Sequence, residues 1–468
     1  MTCSTLYLLS LCVLFQLSTS VSRFPNFYRK IQTRPVKADE DNGQPLILTP
    51  YIEAGRIQEA RNASRVTHKA FGNITHYTGF FTVNKTHNTN LFAWFCPSES
   101  DPANDPVVLW LQGGPGSTSL FGLFSENGPF RMNNTRDVVL RKETWTKKHN
   151  MIWIDNPAGA GYSFTDAEGL AHDEDQVSAE LFQAIQQFFQ LFPELRKNDF
   201  FITGESYGGH YIPSISHYIL RANRGLPERL KVNLKGLAIG NGWTDPINQL
   251  NYGDYLYQHG IVDLKTKDFL NTIRDDSIDL IKQGRYAEAR DRQDEILYTM
   301  MSMTGITNVY NYLFAQDQDD EPLMDTFIQT SEIRKAIHVG NAKFQDGGDV
   351  NEALNSDVMK SVVHLLPELI DNYRVLLYSG QVDIIVAYPL TVNYLEKLNF
   401  SSSAEYKMAS RNIWSVNNDI AGFVKVAGNL TDLLVRDAGH MVPHDQPVWS
   451  LDLIYRFTRN LKFDEEYD

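Results

Sequence analysis

Short apolar runs recur along the chain with few polar positions among them: residues 106–111, 150–154, 200–203, 237–239, 375–378 and 433–435. Such runs fit strands covered on both faces, at the centre of a mostly parallel sheet; a sheet with one wet face would alternate. Residues 91–96 form a further strand-like apolar run. From Leu46 onward, glycine-rich turns and helical patterns separate the runs, so the spacing predicts an α/β domain. The rhythm breaks between about residues 244 and 345, which are rich in charge and carry helical patterns such as Tyr286-Ala287-Glu288-Ala289-Arg290-Asp291-Arg292; strand signal resumes near Arg374. The expected organisation is a core of residues 46–243 and 346–468 with a helical cap inserted at 244–345. Such a cap either stands over a site as a lid and selects what enters, or is a helical subdomain without contact to substrate.

At the N-terminus an apolar run from Leu6 to Leu17 precedes Ser18-Thr19-Ser20, the order expected of a signal peptide over residues 1–22. Met1-Thr2-Cys3-Ser4 carries no Lys or Arg, and a buried N-terminal helix is the other reading. Residues 23–45 are polar and charged with little periodicity, as in a flexible leader, an extended arm or a pro-segment. No later stretch reaches the roughly 18 uninterrupted apolar residues of a membrane helix.

At 468 residues the chain exceeds the size at which single cores usually stop growing, which leaves one large domain with insertions or two domains. The formal charge of −14 disfavours nucleic acid and anionic membranes as partners, since both reward basic surfaces. It suits an acidic compartment, where part of the negative charge is neutralised. Sequons at Asn62, Asn73, Asn84, Asn133, Asn399 and Asn429 independently predict passage through the secretory pathway, to a secreted or lysosomal destination. Cys3 and Cys12 fall in the expected signal, leaving Cys96 as the single thiol of the mature chain. No intrachain disulfide is then available, and Cys96 in its apolar run reads as a buried, inert thiol.

The strongest local signal is Gly204-Glu205-Ser206-Tyr207-Gly208, directly after the run at 200–203 and before a helical pattern. A G-x-S-x-G strand-to-helix turn forces unfavourable backbone angles on the serine, and the flanking glycines remove the clashes. Because a serine hydroxyl is a weak nucleophile, a histidine must take its proton and a carboxylate must orient that histidine. Asp383 follows the run ending at Tyr378, and His440 follows the run ending at Val435. Both thereby reach the carboxyl edge of the sheet in the order Ser…Asp…His that α/β-hydrolases use. The run at 106–111 enters Gln112-Gly113-Gly114-Pro115-Gly116, whose glycines let backbone amides face a site. In this fold one such amide and the amide after the nucleophile form the oxyanion hole, here Gly114 and Tyr207. A phosphate-binding loop is excluded, as its Gly-Lys-Ser/Thr ending is absent.

Other residues read as structure. His210, one turn after Ser206, is poorly aimed for catalysis, and Pro443 separates His440 from His444, so a metal pair is not expected. Met441 and Tyr207 read equally as core or as substrate-facing.

Together the segments Trp110-Leu111-Gln112-Gly113-Gly114-Pro115-Gly116, Glu126-Asn127-Gly128-Pro129, Asp155-Asn156-Pro157-Ala158-Gly159-Ala160-Gly161-Tyr162-Ser163-Phe164, Gly204-Glu205-Ser206-Tyr207-Gly208-Gly209, Gly380-Gln381-Val382-Asp383 and Gly439-His440-Met441-Val442-Pro443 resemble the serine carboxypeptidase family. The resemblance is particularly to its vitellogenic-like and venom serine carboxypeptidase branch. The resemblance implies an α/β-hydrolase fold and the triad Ser206, Asp383 and His440. It also implies that the substrate's free C-terminal carboxylate is gripped by Gln112, Gly113, Glu126 and Glu205. Two ionised carboxylates in contact repel, so one acid must keep a proton, and binding should weaken as pH rises. A solvated turn carboxylate is the other reading of Glu126. Most of the family carries Asn where Gln112 stands, although the vitellogenic-like branch has Gln. Ser117 and Val386 stand where the family usually has cysteines, so its disulfides do not carry over.

The expected function is therefore a serine-type carboxypeptidase acting on peptides or proteins with a free C-terminus, favoured at acid pH. No metal or organic cofactor, nucleic acid partner or membrane span is expected, and the chain is a monomer or homodimer. A secreted acyltransferase or esterase of the same fold, or a non-catalytic secreted binding protein, are the alternatives.

Overall fold

The apolar runs form the parallel centre of one ten-stranded sheet in the computed structural model, which describes residues 33–35, 40–316 and 323–465. The expected signal peptide at 1–22 and residues 23–32 and 36–39 of the expected arm lie outside the described residues. In chain order the strands are β1 Tyr77–Asn84, β2 Thr89–Cys96, β3 Val107–Leu111, β4 Asn150–Ile154, β5 Phe200–Glu205, β6 Leu234–Gly240, β7 Arg374–Gly380, β8 Asn412–Val416, β9 Asp419–Ala427 and β10 Leu430–Val435. Their order across the sheet is β1-β2-β4-β3-β5-β6-β7-β10-β9-β8. From β4 to β10 every neighbouring pair is parallel; the pairs outside that centre are antiparallel.

Helices cover the sheet. α1, Glu174–Leu191, starts at Asp173, whose carboxylate caps Gln176 N at 2.9 Å, with Glu174 and Asp175 favourably placed in the first turn. α2, Gly208–Gly225, follows β5 directly. Between β6 and β7 the chain is largely helical: α3 Tyr252–Gln258, α4 Leu264–Lys282 and α5 Tyr286–Thr304. Asp263 caps α4, Gly305 ends α5 in the left-handed conformation, and Ser277 Oγ ties the two helices at Ala289 O, 2.8 Å. α6, Pro447–Arg459, closes the chain behind β10.

The core on one face is aromatic. Fully buried Phe71 meets Trp94 edge-on at 5.5 Å, and Phe130 and Phe327 at 5.1 and 5.9 Å. His76 stacks on Trp94 at 5.3 Å, and burial pushes its pKa down to about 3, so it packs as a neutral ring. Cys96 ends β2 fully buried, and burial raises its thiol pKa. Before β1, the chain runs along residues 331–341, with Leu46 N on His338 O at 3.0 Å and Asn42 Nδ2 on Asn341 Oδ1 at 3.1 Å. Asn62, Asn73, Asn399 and Asn429 are exposed, and Asn84 and Asn133 half-buried. The hydroxyl of Ser64 that completes the first sequon is buried against Arg61 O. Among the described residues no helix is long and apolar enough to cross a membrane.

Phe71→Ala removes a ring held on several sides and should lower the unfolding free energy by about 3–5 kcal/mol, read as a lower urea midpoint with an unchanged m-value.

Candidate active site

Ser206 stands between β5 and α2 with φ +60°, a left-handed conformation unusual for a residue with a side chain. The turn is held on both sides. Ser206 N donates to Gly240 O at 2.9 Å, while Ser206 O accepts from Gly209 N and Trp243 N, each at 2.8 Å. The strand before the glycine loop presses on it from the other side: a β-carbon at Gly113 would lie 2.5 Å from Tyr207 N and 2.8 Å from Ser206 Cβ. Only glycine permits that approach. Gly114 follows at φ +117°.

Asp383 follows β7 and is wholly buried. Its Oδ1 accepts from Ile385 N at 3.0 Å; its Oδ2 accepts from Val386 N at 3.2 Å, Asn241 Nδ2 at 2.7 Å and His440 Nδ1 at 2.8 Å. A carboxylate held by this many donors stays in one orientation and fixes the imidazole tautomer with its proton on Nδ1. His440 Nε2 is then the basic nitrogen, and it is buried without a hydrogen-bond partner. The ring is steadied further by His440 N donating to Tyr310 O at 2.7 Å and by the Tyr310 ring 5.3 Å away. Segments between β6 and β7 therefore touch the acid and the base: Tyr255 Oη donates to Asp383 O and Tyr252 Oη to Ile385 O, both at 2.8 Å.

Three polar side chains, Gln112, Glu126 and Glu205, meet beside this line. Trp110 Nε1 donates to Gln112 Oε1 at 2.8 Å, which turns the Gln112 amide so that Nε2 reaches Glu205 Oε1 at 2.7 Å. Glu126, at the end of a single wide helical turn, is fully buried with neither oxygen hydrogen-bonded, and Glu205 Oε2 is likewise unpartnered. Burial pushes the Glu126 carboxyl up to about 7, an effect reduced by Glu205, His444, Gln112 and His440. Burial and then the charge of Glu126 raise Glu205 well above the ordinary range. Of two such neighbours, one holds a proton through the acid and neutral range.

The structure thus brings Asp383 and His440 into contact, sets Gly113 against Ser206, and joins Gln112, Glu126 and Glu205. Tyr207 is buried, its hydroxyl donating to Asp357 Oδ2 at 3.1 Å, and Met441 is half-buried. His210 packs, its ring nitrogens 2.5 Å from Trp243 O and 2.7 Å from Lys360 O. His444 lies 3.1 Å from Ser125 O. Among the described residues no group of three or more His, Cys, Asp or Glu is placed to hold a metal. Sequence reasoning missed Asn241, which grips Asp383 and takes Gly380 N on its Oδ1 at 3.0 Å; the clue was a polar residue immediately after a buried strand run. It also missed Tyr310, which no periodicity marks.

Comparison with known proteins identifies the family. A family model described as serine carboxypeptidase matches residues 67–460. The venom serine carboxypeptidase of Apis mellifera is 49% identical over 94% of this chain and 96% of its own length. The vitellogenic carboxypeptidase of Aedes aegypti is 43% identical over 89% and 90%. Among solved structures, the prohormone-processing carboxypeptidase Kex1 of Saccharomyces cerevisiae superposes with a TM-score of 0.76 at 23% identity, covering 86% of this chain and 96% of Kex1, which establishes the α/β-hydrolase fold.

Asn241→Ala removes a hydrogen bond to a charged group, worth about 1.5–3 kcal/mol. Steady-state kinetics on an ester substrate should show kcat reduced roughly tenfold or more with KM little changed.

Proposed function

The chain belongs to the serine carboxypeptidase family, and from that premise we propose that it releases C-terminal amino acids from peptides through an acyl-enzyme on Ser206. His440 Nε2 takes the Ser206 proton as the oxygen attacks the last peptide carbonyl, and Asp383 stabilises the imidazolium that forms. The developing oxyanion lies against the amides of Gly114 and Tyr207. His440 then protonates the leaving amine, and the peptide remains esterified to Ser206. A water that gives its proton to His440 attacks the ester and restores the serine.

The observation that carries this reading is the buried carboxyl pair Glu126 and Glu205 beside the triad, with three of their four oxygens lacking a partner. A substrate carboxylate bound there accepts from the shared proton, from the second hydrogen of Gln112 Nε2 and from the backbone at Gly113. An uncharged ester or a neutral acyl acceptor would leave that proton without an acceptor, which disfavours an acyltransferase or esterase. The helices between β6 and β7 act as the cap that selects the side chains admitted. Peptides are the substrates, and passage through the secretory pathway to an extracellular or lysosomal site fits the exposed sequons.

The pH dependence follows from Glu126. Its folded pKa of about 7 lies above the ordinary 4.5, so the native protein retains a proton that the unfolded chain has lost. The contribution to stability is complete below 4.5 and is lost as pH rises through about 7. Carboxylate binding weakens over the same interval.

Blocked dipeptides with a free C-terminus should be hydrolysed and their amides spared; equal cleavage of both would overturn the assignment, as would fluorophosphonate labelling away from Ser206. In Glu126→Gln the amide keeps donating where the acid would ionise. Its kcat/KM should start lower at acid pH and decline less steeply through neutrality, whereas an unchanged profile would remove Glu126 from carboxylate binding.

A further inference from the structure

Beyond the triad, Asp357, the residue that takes the Tyr207 hydroxyl, lines a second cavity of about 690 Å³. None of the triad or carboxylate-binding residues faces it. Glu174, in the first turn of α1, lines its wall only 8% exposed, and neither of its oxygens has a hydrogen-bond partner. The hydroxyls of Ser178 and Ser214 line the same cavity, also buried, and that of Ser214 lies close enough to Glu174 to offset part of its burial. Groups left this way are costly, and around Glu174 they form a polar wall with unused capacity to accept a hydrogen bond. Elsewhere the lining is mixed, with the exposed side chains of Asp173, Asp175, Arg221 and His364 and with Lys360 paired to Asp357.

We propose that this cavity is a second ligand site, taking a free α-amino acid or short peptide with its ammonium on Glu174, Ser178 and Ser214 and its carboxylate on Arg221 and His364. A simple cation would find Arg221 opposing it, and a simple anion would meet Glu174; a zwitterion satisfies both ends. The volume lies within the range of small-molecule sites, roughly 300–1,000 Å³. Burial, then the neighbouring charges of Asp357 and Asp173, hold the Glu174 carboxyl well above its ordinary range, and a ligand ammonium relieves both effects.

The cavity is mechanically joined to the nucleophile turn. Asp357 holds the Tyr207 hydroxyl with one oxygen and Lys360 Nζ with the other, at 3.2 Å. His210 stacks on Tyr207 at 4.5 Å and reaches Lys360 O at 2.7 Å. An occupant that shifts Asp357 therefore acts on the residue whose amide faces the oxyanion. Binding does not depend on the carboxypeptidase reading; an effect on turnover does, and there the occupant is chemically the amino acid that the reaction releases.

The test is calorimetric titration of L-leucine, L-leucinamide and 4-methylpentanoate into the purified protein and into Glu126→Leu, which removes a hydrogen-bonding group of the proposed carboxylate site beside the triad. In Glu126→Leu one site for L-leucine should remain, with the amide and the acid each bound at least about tenfold more weakly, the loss of one charged hydrogen bond. Adding Glu174→Gln or Arg221→Ala should abolish or similarly weaken that site. Arg221 is exposed, so its variant carries the test if the buried substitution prevents folding. Titrations unchanged by Arg221→Ala, or leucinamide binding as tightly as leucine, would overturn the proposal. In activity assays, any change that L-leucine causes through this site should vanish in Arg221→Ala. Retained leucine binding by a protein that cleaves no peptide would refute the carboxypeptidase reading and leave the site standing.

Discussion

Two stretches of backbone meet at Ser206 with no room for a β-carbon between them. The glycine loop after β3 lies so close to the nucleophile turn that any side chain at Gly113 would overlap Tyr207 N, and on the other flank Gly240 O and Trp243 N fasten the serine itself. Left-handed strain at Ser206, of order 1–3 kcal/mol, persists because the parallel ladders of β3, β5 and β6 fix those flanks. The same closeness sets Tyr207 N against the loop that the proposed oxyanion hole draws on, so looser packing would relax the serine and loosen that loop together.

A second constraint is the burial of like charges. Glu126 and Glu205 share a pocket that disfavours ionising both, and Trp110, Gln112 and Tyr378 surround rather than neutralise them. In the proposed reaction the low dielectric that makes this arrangement costly would also make it selective, because a substrate carboxylate would compete for a proton that has few other acceptors. The acidic balance of the whole chain works in the same direction.

How much of this was readable from sequence depended on how each strand is covered. The six central strands are buried on both faces, so their residues form continuous apolar runs, and those are the strands that periodicity located. β9 begins at exposed Asp419 and Ile420 and carries half-exposed Phe423 and Lys425; its mixed sequence reads as neither strand nor helix. Ser206, Asp383 and His440 could be singled out as candidates because each comes within a few residues after a recognisable run. Glu126 and Gln112 were assigned by resemblance alone, since nothing local distinguishes a buried acid from a solvated one. Asn241 and Tyr310 escaped because their roles exist only across the fold, through contacts with Asp383 and His440 that no sequence spacing encodes.

Strand order also governs when the protein becomes competent during synthesis. β10 inserts between β7 and β9, so the residue that carries the base is placed only after a strand near the end of the chain has entered the sheet. A ribosome-bound chain can form the serine turn long before it owns a proton acceptor. Topology thus sets the order in which the nascent polypeptide gains these groups, the serine first and the imidazole last.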